Sequence, residues 1–249
     1  MSQKLQIPLG KGVRVIESHD CGLILLDKPD GTLSMPNRDS EINRSMVCAK
    51  YDAKRECYFW VDASGVSREL YLCNRLDSPT SGVVVCALNP LVADALNVLF
   101  RERKTHKSYL AVVGGVLKEN RGEWRDRLGR ERRNGKLMVD AADDGMPAYT
   151  RWTVLKRRSQ PVGLTLVKLE PGTGRTHQLR VQCSLRRHGI LGDRNYGEFA
   201  LNKRVKQWMG VDRLCLHAHR IAFELNVGRS RIQVDAESPA PKLFDTLFT

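Results

Sequence analysis

Apolar positions in this chain come mostly in short runs bounded by turn-forming residues, and only a few stretches repeat at helical spacing. The run Leu23 to Leu26 predicts a buried strand, ended by Pro29 and followed by an Asp30-Gly31 turn. A modest helix is expected over residues 39–50. Residues 71–88 hold two apolar runs around a polar break, which predicts strand, loop, strand. Asn89 and Pro90 then open a helix, one as N-cap and the other at the first helical position. Val92, Ala95, Leu96, Leu99 and Phe100 mark its buried face. A further strand is expected from Lys107 to Gly115. Residues 118–136 are strongly basic and carry Gly122, Gly129 and Gly135, the signature of an exposed loop and hairpin. Residues 150–157 and 162–170 predict paired strands and 171–175 a tight turn. A helix follows, capped by Thr176 and stopped by Gly189. Residues 213–225 and 230–236 predict late strands, and the tail a short helix.

Many strands with few helices between them imply an α+β fold around a mixed, mostly antiparallel central sheet with flanking helices and loops. The strict alternation of a doubly wound fold is absent. No repeat or Ser/Gly/Pro-rich linker divides the sequence, so the expectation is an extended arm over residues 1–20 and a single catalytic domain over 21–249.

Charge narrows the function. Lys and Arg number 41 against 28 acids, a formal net charge of +13. Such a surplus concentrates a polyanion near the surface, and nucleic acid is the first candidate. An anionic membrane fits less well, because no lysine-rich amphipathic helix with an aromatic face is present. No apolar stretch approaches the roughly 20 residues of a membrane span, and the first residues lack a signal peptide's apolar run. The expected location is the cytoplasm. Seven cysteines at irregular spacing, mostly inside apolar runs, predict buried free thiols.

Three segments can carry chemistry. In Asn74-Arg75-Leu76-Asp77-Ser78-Pro79-Thr80-Ser81-Gly82 a carboxylate stands at the end of an apolar strand, where it can act as nucleophile or base. An aspartate in a turn more commonly just caps its own loop. In Gly172-Thr173-Gly174-Arg175-Thr176-His177-Gln178-Leu179-Arg180 glycines precede a helix, yet the order matches neither a Walker A loop nor a dinucleotide fingerprint. His177, Arg180 and Ser184 share a helical face, and an arginine there can pair bidentately with a carboxylate. The plainer alternative is a solvated basic face continued by Arg186 and Arg187. On the strand from Lys107, Lys107 and Tyr109 point the same way, and a tyrosine beside basic residues can stack on a nucleobase or simply fill the core. His177, Cys183, Cys215, His217 and His219 show none of the tight ligand pairs of a zinc site, and the zinc-deaminase signature is missing.

Together these segments resemble the RluA branch of the RNA pseudouridine synthases. The resemblance rests on Leu26-Asp27-Lys28-Pro29, Asn74-Arg75-Leu76-Asp77 with Thr80-Ser81-Gly82, Lys107 to Gly114, Gly145 to Ala148 with Thr150, Gly174 to Val181, and Leu214 to Ala218. It implies isomerisation of specific uridines in ribosomal or transfer RNA, with no cofactor, no metal and no obligate protein partner. Asp77 matches the essential aspartate, Tyr109 the tyrosine that stacks on the target uracil, and Arg180 the arginine paired with that aspartate. Arg75 matches an arginine that can fill the place of the flipped base. Lys107, Arg175, His177 and Arg187 join it as RNA-binding candidates. Asn74 departs from the family's usual histidine, and the arm is too short for the small RNA-binding domain of many relatives. A non-catalytic RNA-binding or RNA-folding module on the same scaffold is the alternative, and a zinc- or nucleotide-dependent enzyme a third reading.

Overall fold

The computed structural model describes residues 6–133, 136–228 and 230–249. The chain divides into two compact units, one of residues 1–105 and 220–238 and the other of residues 106–219 and 239–249.

In the first unit the arm contributes a strand, β1 (Arg14–Ser18), which pairs antiparallel with β2 (Leu23–Lys28). Strands β3 (Lys50–Asp52), β4 (Cys57–Val61) and β5 (Ser67–Leu72) form an antiparallel meander, and β6 (Ser81–Ala87) pairs with both β5 and β2. Every residue of β6 is buried, which explains its unbroken apolar run. Helix α1 (Pro90–Arg101) begins as expected: the Asn89 side chain accepts the Val92 N–H at 3.0 Å. Its Val92, Ala93 and Leu96 pack with Leu23, Leu25, Val83 and Val85 into one core. The helix expected over 39–50 is instead a 3₁₀ turn, Asp39–Arg44. Met46 and Val47 are both fully buried, and Ser45 and Val47 bridge to Leu33 and Leu9. Neighbouring buried residues in bridges suit extended chain, and that tertiary demand overrides the local helix preference.

The second unit is built on β7 (His106–Gly114), β8 (Arg121–Arg133), β9 (Lys136–Ala141), β10 (Met146–Arg158) and β11 (Leu164–Pro171), in the order β7-β11-β10-β8-β9 with antiparallel pairing. The basic stretch expected as loop and hairpin is the first strand of a hairpin, β8 pairing antiparallel with β9, so the hairpin forms and the expected loop is strand. Trp124 and Leu128 alternate inward while Arg121, Glu123, Arg125 and Arg127 face solvent. Gly135, expected in the hairpin, lies outside the described residues. Two helices follow: α2 (Gln178–Leu185) and α3 (Phe199–Met209), the second without a counterpart in the sequence reading. Strand β12 (Leu216–Val227) returns the chain to the first unit, where β13 (Ser230–Glu237) pairs with it antiparallel. Helix α4 (Lys242–Thr246) closes the second unit's core with Phe244 and Leu247, beside Leu164, Leu169, Ile190 and Cys215. All seven cysteines are free, five of them buried. No described helix is long and apolar enough to cross a membrane.

Candidate active site

Asp77 sits half-buried in the loop between β5 and β6, and that loop is tied down at every second or third residue. Asn74 Oδ1 accepts the Val85 N–H at 2.7 Å, closing the loop onto β6. Ser34 brackets Leu76: its hydroxyl donates to the Leu76 carbonyl at 2.8 Å and accepts the Leu76 N–H at 3.1 Å. Tyr58 holds Ser34 in turn, donating to its carbonyl at 2.7 Å. The fully buried ammonium of Lys28 donates to the carbonyls of Pro29, Thr32 and Ser78 at 3.1, 2.7 and 2.9 Å. A buried lysine is tolerable only with such polar partners, and here they fasten the residue after Asp77 to the Asp30-Gly31 turn. The Thr80 N–H reaches the Asp77 carbonyl at 2.9 Å, and Gly82, at φ +114°, swings the chain into β6. The aspartate therefore rides on an immobilised loop. Arg75 points outward, its guanidinium 3.1 Å from Glu56.

The Gly172 to Arg180 segment is fixed by a chain of buried polar side chains. Gln178, only 4% exposed, accepts from Thr173 Oγ1 (2.7 Å) and the Arg175 N–H (3.0 Å). It donates to the Tyr149 carbonyl (3.0 Å) and Thr150 Oγ1 (2.9 Å). The Thr150 hydroxyl donates in turn to Gln182 Oε1 at 2.6 Å, and Gln182 donates to Asp126 at 2.7 Å. Arg186 closes the chain on the same carboxylate at 2.8 Å. The four hydrogen-bonding positions of Gln178 are thus all used, which locks the turn against β10. Helix α2 starts one residue later than expected. His177, not Thr176, is the N-cap, in the left-handed region at φ +53° and without a capping side-chain bond.

Arg180 is 5% exposed, so the solvated-face alternative does not hold for it. Its Nε and Nη2 donate to the two carboxylate oxygens of Asp193 at 2.7 and 2.9 Å, the bidentate geometry that favours arginine. Burial pushes the Asp193 carboxyl up, but the Arg180 guanidinium and the backbone N–H groups of Asn195 and Tyr196 outweigh it and hold it below its ordinary value. The guanidinium also lies over the Tyr196 ring, 5.0 Å from its centroid, and the Tyr196 hydroxyl stands 2.8 Å from His177 Nδ1. Gly192 makes this turn possible: at φ +76°, a Cβ would sit 1.8 Å from the Arg213 carbonyl oxygen. Asp193, Tyr196 and Gln178 were absent from the candidates read from sequence. The string Leu191-Gly192-Asp193-Arg194-Asn195-Tyr196-Gly197, with its paired turn glycines, was the available signal.

Tyr109 and Lys107 leave the same face of β7, both half-buried, with Tyr109 packed against the second unit's core. Arg175 Nε donates to the Pro147 carbonyl at 3.1 Å. Arg187 is exposed at φ +60°, just past α2. Asp77 and Arg75 thus belong to the first unit; Lys107, Tyr109, Arg175, His177, Arg180 and Arg187 belong to the second. Among the described residues, no three His, Cys, Asp or Glu side chains gather as a metal cage.

Residues 22–185 match the family described as RNA pseudouridylate synthase. A dual-specificity RNA pseudouridine synthase RluA of Vibrio parahaemolyticus is 34% identical over 206 residues, covering 82% of this chain and 75% of the relative. A ribosomal large subunit pseudouridine synthase C of Haemophilus ducreyi is 36% identical over 166 residues. The match covers 64% of this chain but 48% of that relative, so the aligned part is about half of its length. Among solved structures, human RNA pseudouridylate synthase domain containing 1 superposes with a TM-score of 0.69 at 24% identity, over 93% of this chain and 84% of that one. That likeness concerns the fold.

Proposed function

Because the chain belongs to the RNA pseudouridylate synthases, in their RluA branch, we propose that it converts specific uridines of structured ribosomal or transfer RNA to pseudouridine. The carrying observation is Asp77: the family's Arg-Leu-Asp motif, presented half-buried on a loop immobilised by Lys28, Ser34 and Asn74. Relatives named for ribosomal RNA, for transfer RNA and for dual specificity support the substrate class.

The reaction is an isomerisation. The N1–C1′ bond breaks, the uracil turns, C5 bonds to C1′, C5 loses a proton and N1 gains one. No electron or external group enters, so side chains suffice and no cofactor is called for. Asp77 supplies the carboxylate that works on the glycosidic bond, Arg180 the positive charge that favours an ionised carboxylate, and Tyr109 the face on which the uracil stacks. Unstacking the target costs a few kcal/mol, and stacking on one aromatic ring returns about 1–3 kcal/mol. Arg75, Lys107, Arg175, His177 and Arg187 contact the RNA. Residues 21–249 act together as the catalytic entity, at work in the cytoplasm.

The test is pseudouridine mapping by carbodiimide labelling and primer extension on cellular RNA from parent, deletion and Asp77→Ala-complemented strains. The expected result is a stop that vanishes in the deletion and stays absent with Asp77→Ala. A stop restored by Asp77→Ala would remove the aspartate from the mechanism. The alternative reading, a binding module, predicts unchanged stops in all three strains.

A further inference from the structure

Cations of the second unit that lose water are held by counter-charges or by backbone carbonyls, as Arg175 is by that of Pro147. Arg180 has Asp193, and Arg186 has Asp126. Lys107 differs. Its stem is half-buried on β7, and its ammonium lies 3.9 Å from where a Cβ on Gly174 would stand, at the exposed turn before α2. Among the described residues it makes no hydrogen bond and no ion pair. Burial alone pulls its pKa below the ordinary lysine value, with no neighbouring charge contributing. A desolvated cation without an anion is unfavourable, and a chain with 28 acids had ample means to supply one. Such a group is suited to an anion that arrives with a ligand.

We propose that Lys107 anchors one backbone phosphate of the RNA strand that presents its uridine to Tyr109. The inference rests on the RNA-modifying reading above and assigns one contact within it. Tyr109 lies two residues along the same strand face, about 7 Å away. A nucleotide offers a flat base at one end and a singly charged phosphate at the other, which matches a ring and a cation at that separation. An ammonium is a compact point charge that meets a phosphate oxygen from any direction on a flexible stem. Gly174 has no side chain, so the approach to the ammonium stays open.

The test uses Lys107→Met, which keeps the apolar stem and deletes the charge. The probe is a stem-loop RNA with one loop uridine, made also with its loop phosphates replaced singly by neutral methylphosphonates. Lys107→Met should melt no lower than wild type, because a desolvated charge has gone, and should bind the RNA about tenfold more weakly. Its affinity should fall less steeply with salt, the log–log slope being shallower by about 0.7, the share of one single-strand phosphate. At one loop position the methylphosphonate should weaken wild type as much as Lys107→Met does, and leave the variant unaffected. Unchanged affinity in Lys107→Met, equal losses for both proteins at every position, or a lowered melting temperature with intact binding would each overturn the anchor. Pseudouridine formation on the same RNA separates the two claims. Turnover without the coupling sinks the anchor alone, and the coupling without turnover sinks the enzymatic reading alone. If wild type binds neither this RNA nor total transfer RNA, both fall.

Discussion

Arg180 and Asp193 form a buried ion pair, and its chemistry bears on both stability and the proposed site. With side chains 6% and 0% exposed, neither charge has water to fall back on, so removing one partner strands the other. Asp193→Asn should therefore cost about 3–5 kcal/mol at neutral pH, read from chemical denaturation. The pH dependence has a definite sign. The folded carboxyl is held below its ordinary value, so its contribution is full above the unfolded pKa of about 3.9 and is lost as pH falls through the folded one. The stability gap between wild type and Asp193→Asn should shrink below about pH 4; a gap constant from pH 7 to pH 3 would contradict the assignment. Arg180→Lys tests the geometry separately from the charge. An ammonium cannot make two parallel bonds to Asp193 or spread over the Tyr196 ring, so we expect turnover to fall at least tenfold while RNA affinity changes little. Turnover within twofold of wild type would show that charge alone is enough.

At the scale of elements, what was legible depended on whether a segment's own residues decide its structure. Helix α1 carried its cap, its proline and its apolar stripe within its own thirteen residues from Asn89 to Arg101, and it forms as read. Asp77, Tyr109 and Arg180 were picked out because they stand in contiguous motifs. Asp193 escaped notice because its role arises from a partner thirteen positions earlier, and an aspartate in a glycine turn has many commoner uses. The 39–50 segment misled for the same reason: Leu9 and Leu33, distant in sequence, draw residues 45–47 into bridges. Gln178 joins these long-range cases, since its bonds to Tyr149 and Thr150 span 29 and 28 positions. Its amide links the turn at 173–175 to β10, so Gln178→Leu would remove one hydrogen bond from each of Thr173, Arg175, Tyr149 and Thr150. Each lost bond costs about 0.5–1.5 kcal/mol. We expect a loss of about 3 kcal/mol in denaturant unfolding, and increased amide exchange in residues 172–180 ahead of the rest of the second unit. Exchange that rises uniformly across the unit would mean that Gln178 holds the core and not the turn.

For the whole molecule the governing quantity is the +13 net charge, and its effect is separable from that of the proposed catalytic residues. Much of the surplus is displayed on regular structure: on β8 the alternation sends Arg121, Arg125 and Arg127 to solvent while Trp124 and Leu128 are buried. Exposed arginines suit phosphates, and phosphate contacts position a nucleic acid without reading its bases. Binding should accordingly respond to salt far more than chemistry does. If about six to ten phosphates are engaged, affinity for a structured RNA should fall by about 10³–10⁵ between 50 and 200 mM monovalent salt. The turnover number at saturating RNA should move little over the same range, because the half-buried Asp77 and the buried Arg180 are poorly reached by mobile ions. Filter binding and single-turnover kinetics on one RNA, across a salt series, read the two quantities side by side. A salt-insensitive affinity would mean that recognition rests on base contacts and shape. A turnover number that fell in step with affinity would mean that the exposed arginines also hold the reacting uridine in place.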